Sequence, residues 1–223
     1  MNSVNKTSRI IGIAFLMQVA VSIAAMITGL MLKNQCVIPG NTAESLSLIA
    51  ANLWLLKANV AGELLTSVTL TFLGTVLFLI LRKQQEIIAL FSMGLYVLAA
   101  GILAVSRFAN FCLMDISREY LTAGPADYLL TTGKMALDAM DFGITLMQLP
   151  ICIGAGLFYF LFFQSRIVPR LLSLYGMITM FILTVATFFA LYGYATPVFL
   201  LALYAPVEPA MATWLLVKGV KVE

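Results

Sequence analysis

Six apolar runs, each about twenty residues long, divide the chain, with short polar segments between them. They cover residues 10–32, 58–81, 87–108, 140–163, 171–192 and 197–217. A helix of that length matches the hydrocarbon thickness of a bilayer. The pattern therefore predicts an all-α integral membrane bundle of six transmembrane helices, forming a single membrane domain over residues 1–223. Lys6 and Arg9 precede the first run much as basic residues precede a signal sequence. That run, from Ile10 to Leu32, is longer than the roughly 7–15 apolar residues of a signal core, so a retained span is expected.

The last run is interrupted by Tyr204-Ala205-Pro206-Val207-Glu208-Pro209. Proline lacks a backbone donor and clashes with the preceding turn, so the last span is expected to be broken. Two versions of the break are open. In one, Glu208 lies near the middle of the bilayer, where an ionised side chain costs about 2.5–3.5 kcal/mol on insertion scales. In the other, Pro209 sits in the first turn of a shorter final helix, with Glu208 at its positive dipole end.

Two connections are longer than the rest. In residues 33–57, Pro39-Gly40-Asn41-Thr42 is a turn and N-cap signal, followed by Glu44 in a first helical turn. The apolar pattern from Leu46 to Leu56, with Trp54 at headgroup level, predicts a helix leading into the second span. Residues 115–134 read as a short helix, a turn at Gly124-Pro125 and a lead-in helix.

Composition agrees with the pattern. The chain is 62% hydrophobic and 10% charged, with a mean hydropathy of +1.02, whereas soluble domains are about 25% charged. Charge also orients it. In a six-span arrangement Lys6, Arg9, Arg82, Lys83, Arg166, Arg170, Lys218 and Lys221 fall on one side, and only Lys33, Lys57, Arg118 and Lys134 on the other. This excess places both termini in the cytoplasm. The net charge of +3 gives no reason to expect nucleic acid as a partner. Histidine is absent, which removes the commonest zinc ligand and general base, so neither a metal nor a cofactor is expected. Cys36 and Cys112 both follow outer span ends, where a disulfide is allowed within about 7 Å; two unpaired thiols are the favoured reading.

Polar residues inside the runs recur at helical spacing. Asp138, Asp141, Thr145, Gln148 and Cys152 share one face of the fourth span. Asn52, Asn59, Glu63, Ser67 and Thr71 share one face of the second, Gln18 and Ser22 lie on the first, and Arg107 and Asn110 close the third. Lipid satisfies none of these groups, so each stripe is expected to face another helix or water. Glu63, Arg107, Asn110, Asp138 and Asp141 fall in the outer parts of their spans, with Gln18, Gln148 and Glu208 deeper. Together they suggest a polar funnel that opens outward, with Glu208 at its floor and Gln18 and Gln148 as its hydrogen-bond partners. Blander readings stand beside this one. Gln18, Ser22, Ser67 and Thr71 serve equally well as interhelix hydrogen-bond groups. Asp138 and Asp141 suit a solvated helix start. Arg107 suits a side chain that snorkels to the headgroups or pairs with Asp115. A neutral, hydrogen-bonded Glu208 is purely structural.

The segments Arg9-Ile-Ile-Gly12-Ile-Ala-Phe-Leu16, Ser165-Arg-Ile-Val-Pro169-Arg170-Leu-Leu-Ser-Leu-Tyr-Gly176 and Trp214-Leu-Leu-Val-Lys218-Gly219-Val220-Lys221 with Glu208 resemble an uncharacterised bacterial membrane family, domain of unknown function 4386. The resemblance covers nearly the whole chain. It implies a compact multi-pass protein of the bacterial cytoplasmic membrane, and it brings no activity and no catalytic residue.

Three function classes remain. Binding or transport of a small polar or amphipathic molecule, coupled to protons through Glu208, fits the broken span and the stripes. A scaffold, sensor or accessory subunit fits the small size and short loops. An embedded enzyme fits least, since no Gly-x-Ser-x-Gly, Ser–His or Cys–His arrangement exists. The expected partners are the lipid bilayer and a small-molecule ligand. Ala20, Ala24 and Thr28 pack either within the bundle or against a second copy, and no oligomer is otherwise indicated.

Overall fold

In a medium without water, a helix satisfies its own backbone polar groups, and helix is what the apolar runs form. A computed structural model describes residues 3–194 and 198–218. In order, the helices are α1 (Ser3–Cys36), α2 (Thr42–Ala51), α3 (Leu53–Leu81), α4 (Glu86–Ser106), α5 (Phe108–Ala123), α6 (Asp127–Ser165), α7 (Arg170–Leu191), α8 (Val198–Tyr204) and α9 (Val207–Lys218). No strand occurs among the described residues.

Among the described residues, five stretches are long and apolar enough to cross a membrane: Ile10–Cys36, Leu53–Leu81, Glu86–Ala123, Asp127–Ser165 and Arg170–Leu191. The sixth run differs, because it forms two short helices separated at Ala205 and Pro206. The start expected for it at Pro197 lies outside the described residues. So do the closing Gly219, Val220 and Lys221, and the side chains of Lys6 and Arg9.

The long connections form as their caps dictate. Asn41 accepts the Glu44 amide on its side-chain oxygen at 3.1 Å and donates to the Glu44 carboxylate at 2.9 Å, so α2 starts where the signal lies. The expected lead-in helix is not continuous with α3. It stops at Asn52, whose backbone leaves the helical region (φ −122°, ψ 37°) while its side chain returns to the Leu48 carbonyl. Gly124, at φ +81°, ends α5 in a conformation that a side chain rarely adopts. The lead-in expected after it is the outer end of α6, whose 39 residues extend well beyond the predicted 140–163. That helix carries Pro150 internally.

Residue contacts group into two units. The first comprises Met1–Ala20, Val68–Ala100 and Thr145–Glu223, and the second Val21–Ser67 and Gly101–Ile144. Helices α1, α3, α4 and α6 contribute residues to both. The first unit is cored by Phe15, Leu73, Leu77, Phe158, Phe162 and Leu215, and the second by Leu32, Leu46, Ile49, Leu55, Leu56 and Leu113. Small residues set the helix spacing. Gly62 packs on Ala25 in the second unit, and Gly74 on the Tyr96 side chain in the first. Ala20 and Ala24 lie on the exposed side of α1, so Ala25 makes the close approach instead. Large apolar side chains such as Val68, Phe91 and Phe181 are exposed within the apolar stretches, as lipid-facing positions require. Cys36, Cys112 and Cys152 are free thiols.

A Cβ on Gly74 would lie 2.7 Å from the Tyr96 Cβ, whereas one on Gly94 would meet nothing within 4 Å. Gly74→Val is therefore expected to cost about 1–3 kcal/mol by overpacking, and Gly94→Ala to be neutral or stabilising. Thermal melting of both variants in one detergent measures this, and equal melting temperatures would rule out the packing described.

Candidate functional site

The predicted site residues fall into separate settings, beginning with the second unit. One turn of α6 carries Asp138 and Asp141, and the end of α1 carries Lys33. With Lys134, Thr42, Ser45 and the connection 37–40 they wall a cavity of about 220 Å³. Lys33 Nζ donates to Asp141 Oδ2 at 2.8 Å, with the two side chains 56% and 54% exposed. Lys134 and Asp138, one helical turn apart, form no hydrogen bond or ion pair among the described residues. The cavity wall thus holds two cations and two carboxylates, with one opposite pair closed and the other open. Asp138 and Asp141 are not at a helix start, because α6 begins at Asp127 and both lie well inside it; they face a concave surface with two lysines.

Arg107 sits against the same stretch of α6. It interrupts the helix between α4 and α5, and its side chain is only 1% exposed, so it neither snorkels nor reaches Asp115. Asp115 is instead 3.9 Å from Arg118. The local cause is close packing, because Gly143 of α6 backs onto Ser106 with no room for a Cβ. Arg107 Nη2 donates to Ser106 Oγ at 3.0 Å and to the Met140 carbonyl at 3.4 Å, and Nε donates to Ser106 Oγ at 3.3 Å. Met140 and Asp141 also line the cavity, so Arg107 braces its wall from behind. The negative charges that act on Arg107 are Glu63 and Asp141, neither in ion-pair contact with it.

Glu63 is half-buried near the Asn59 side chain, which donates to the Ala25 carbonyl at 3.2 Å. Asn110 is fully buried on the inner face of α5, with neither amide atom hydrogen-bonded among the described residues. Ser117, two turns further along that face, is likewise buried with its hydroxyl unpaired.

The first unit holds Gln18, Gln148 and Glu208. Gln18 is buried, and its amide oxygen accepts from Thr69 Oγ1 at 2.6 Å. Gln148 is half-buried and makes no hydrogen bond among the described residues. Neither is the partner of Glu208. Its carboxylate accepts from the Tyr204 hydroxyl at 2.6 Å, and that hydroxyl lies 3.2 Å from the Tyr159 hydroxyl. Glu208 occupies the first turn of α9, as in the version where Pro209 sits in the first turn of a short final helix. The break is held by side chains. Tyr175 donates to the Leu203 carbonyl at 2.7 Å, and the Ala210 amide restarts the ladder on the Pro206 carbonyl at 3.1 Å. Glu208 does not line the cavity of the second unit.

Sequence reasoning missed the tyrosines and Lys134. Tyr204 was within reach, since it stands four residues before Glu208. Tyr159 and Tyr175 carry no such signal, because an aromatic residue in an apolar run reads as packing. A family model described as Domain of unknown function (DUF4386) matches residues 10–219. No curated protein and no solved structure matches the chain.

The exposure of Lys33 and Asp141 limits what their ion pair contributes. A double-mutant cycle on Lys33→Ala and Asp141→Ala is expected to give a coupling of about 0.2–1 kcal/mol that shrinks as salt is added. A salt-independent coupling of several kcal/mol would contradict the open geometry of the pair.

Proposed function

This chain belongs to the DUF4386 family, and we propose that it is a multi-pass membrane protein that binds a small polar molecule in the cavity walled by Lys33, Lys134, Asp138 and Asp141. The observation that carries the reading is the open pair. Lys134 and Asp138 present an ammonium and a carboxylate to a concave space without neutralising one another. A ligand with charges of both signs satisfies the two together, and formal neutrality of the wall avoids bringing a net charge into it. At about 220 Å³ the space is smaller than the ~300–1,000 Å³ of drug-sized sites, which suits a compact zwitterion.

The same reading makes α8 and α9 together the sixth crossing, with both termini cytoplasmic and the cavity on the opposite side. The excess of Lys and Arg in the alternate connections supports it. Glu208 then acts as the proton-binding group of a transport cycle, with Tyr204 as its hydrogen-bond donor and the Tyr159 hydroxyl next to that of Tyr204. A carboxylate at the break of a discontinuous span supports that role.

Purified protein in detergent is heated with glycine betaine or β-alanine, and with choline or acetate as singly charged controls. A zwitterion at a hundred times its dissociation constant stabilises by about 2.7 kcal/mol, while the controls leave melting unchanged. Lys134→Gln and Asp138→Asn each remove the shift without lowering the ligand-free melting temperature. Stabilisation that survives the double variant, or none by any zwitterion, would dismiss the site. Glu208→Gln should leave binding at fixed pH intact and abolish pH-driven uptake into vesicles; unaltered uptake would end its proton-carrying role.

A further inference from the structure

The other concave surface of note lies in the first unit, on α9. Two adjacent rows of side chains, Pro209-Thr213-Val217 and Ala210-Trp214-Lys218, line a shallow groove along one face of α9, open along its length. Each row steps by four residues, so the groove runs along the helix from an apolar end at Pro209 to a cation at Lys218. Trp214 ties that end to the loop between α6 and α7. Its indole Nε1 donates to the Ile167 carbonyl at 3.4 Å, and the Lys218 ammonium lies 5.8 Å from its ring centroid. The loop adds Arg166, and the start of α7 adds Arg170, which lies over the Phe163 ring at 5.3 Å. None of the three cations has an ion-pair partner among the described residues, and no carboxylate occurs anywhere from 142 to 207.

Arg166 adds a second, independent observation. It is the only non-glycine residue with positive φ among those described, at +55°. Its amide bonds the Phe162 carbonyl at 3.1 Å, so it terminates α6 in the left-handed conformation that glycine adopts at least cost. A long basic side chain in a glycine position is strain that folding alone does not call for.

We propose that the α9 groove and this loop form a binding site for one anionic phospholipid. An acyl chain lies along Pro209, Thr213 and Val217, and the phosphate is held by Lys218, Arg166 and Arg170. The groove is apolar along its length and cationic at one end, which is the polarity of a lipid in a leaflet. A second copy of the chain fits the surface less well, since its own groove and loop would bring three more cations and no carboxylate. The site is separate from the cavity of the second unit and does not depend on what that cavity binds.

Native mass spectrometry of the protein in micelles containing dioleoyl phosphatidylglycerol or dioleoyl phosphatidylcholine tests this. The wild type should retain one phosphatidylglycerol about tenfold more strongly than phosphatidylcholine, as charge-assisted phosphate contacts imply. Lys218→Gln should reduce that preference severalfold. Arg166→Gly should reduce it too while keeping or raising the melting temperature, an outcome that a purely structural arginine would not give. Trp214→Phe keeps the ring but loses the bond to the Ile167 carbonyl, and should fall between the two. Equal retention of the two lipids, a preference that survives both Lys218→Gln and Arg166→Gly, or a lipid-free dimer seated on this face would overturn the proposal.

Discussion

Lipid satisfies no polar group, so nearly every one within the apolar helices is partnered inside the protein, Asn110, Ser117 and Gln148 being the exceptions among the described residues, and that constraint orders the rest of the structure. Most hydroxyls in the spans meet it locally. Thr66, Ser67, Thr75, Ser92, Thr179 and Thr184 each donate to a carbonyl four residues back in their own helix. Such residues need no ligand and no second helix to explain them. The demanding groups are those that the helix cannot serve, namely the carbonyls left open where α8 ends, the Glu208 carboxylate and the Arg107 guanidinium. A tyrosine answers the break twice, with Tyr175 on a freed carbonyl and Tyr204 on Glu208. Phenols suit this task because they bring a hydroxyl on a long apolar body, which costs little to bury.

The helices were legible because a bilayer-length apolar run permits almost no other structure. The α2 start was legible because Asn41 and Glu44 carry their own capping chemistry. The interruptions were not. Nothing in the pattern marks Asn52 as a break between α2 and α3, since its neighbours continue the apolar helix. Arg107 likewise looks like the end of a span, whereas it joins two helices while wholly buried. What decides its placement is Gly143, thirty-six residues away in sequence and against Ser106 in space. A single sequence shows that residue only as one more small side chain.

The polar stripes show the same limit at the level of the site. Periodicity gives the face on which Asp138, Asp141 and Gln148 lie, but it does not say which groups already have partners. Asp141 is paired, Asp138 is open, and Gln148 makes no hydrogen bond among the described residues, although all three share one face. Lys33 comes from a different helix, and the difference between Asp138 and Asp141 depends on where its ammonium ends. Tertiary pairing thus turns an even row of acids into one structural and one available carboxylate.

That distinction also separates the two acidic centres by the work each can do. Glu208 is held by a phenol at a helix N-terminus, a setting that fixes the carboxylate and leaves a proton as the simplest thing it can gain or lose. Asp138 has no such hold. It lines a cavity with Lys134 and pairs with no cation among the described residues, and under the proposed function its partner is a charged group of a ligand. A continuous funnel with one carboxylate at its floor would ask a single residue to serve both purposes. Under the proposed function, a partnered Glu208 and an open Asp138–Lys134 pair divide proton charge and ligand charge between different residues, so a substitution at one is expected to leave the other in place.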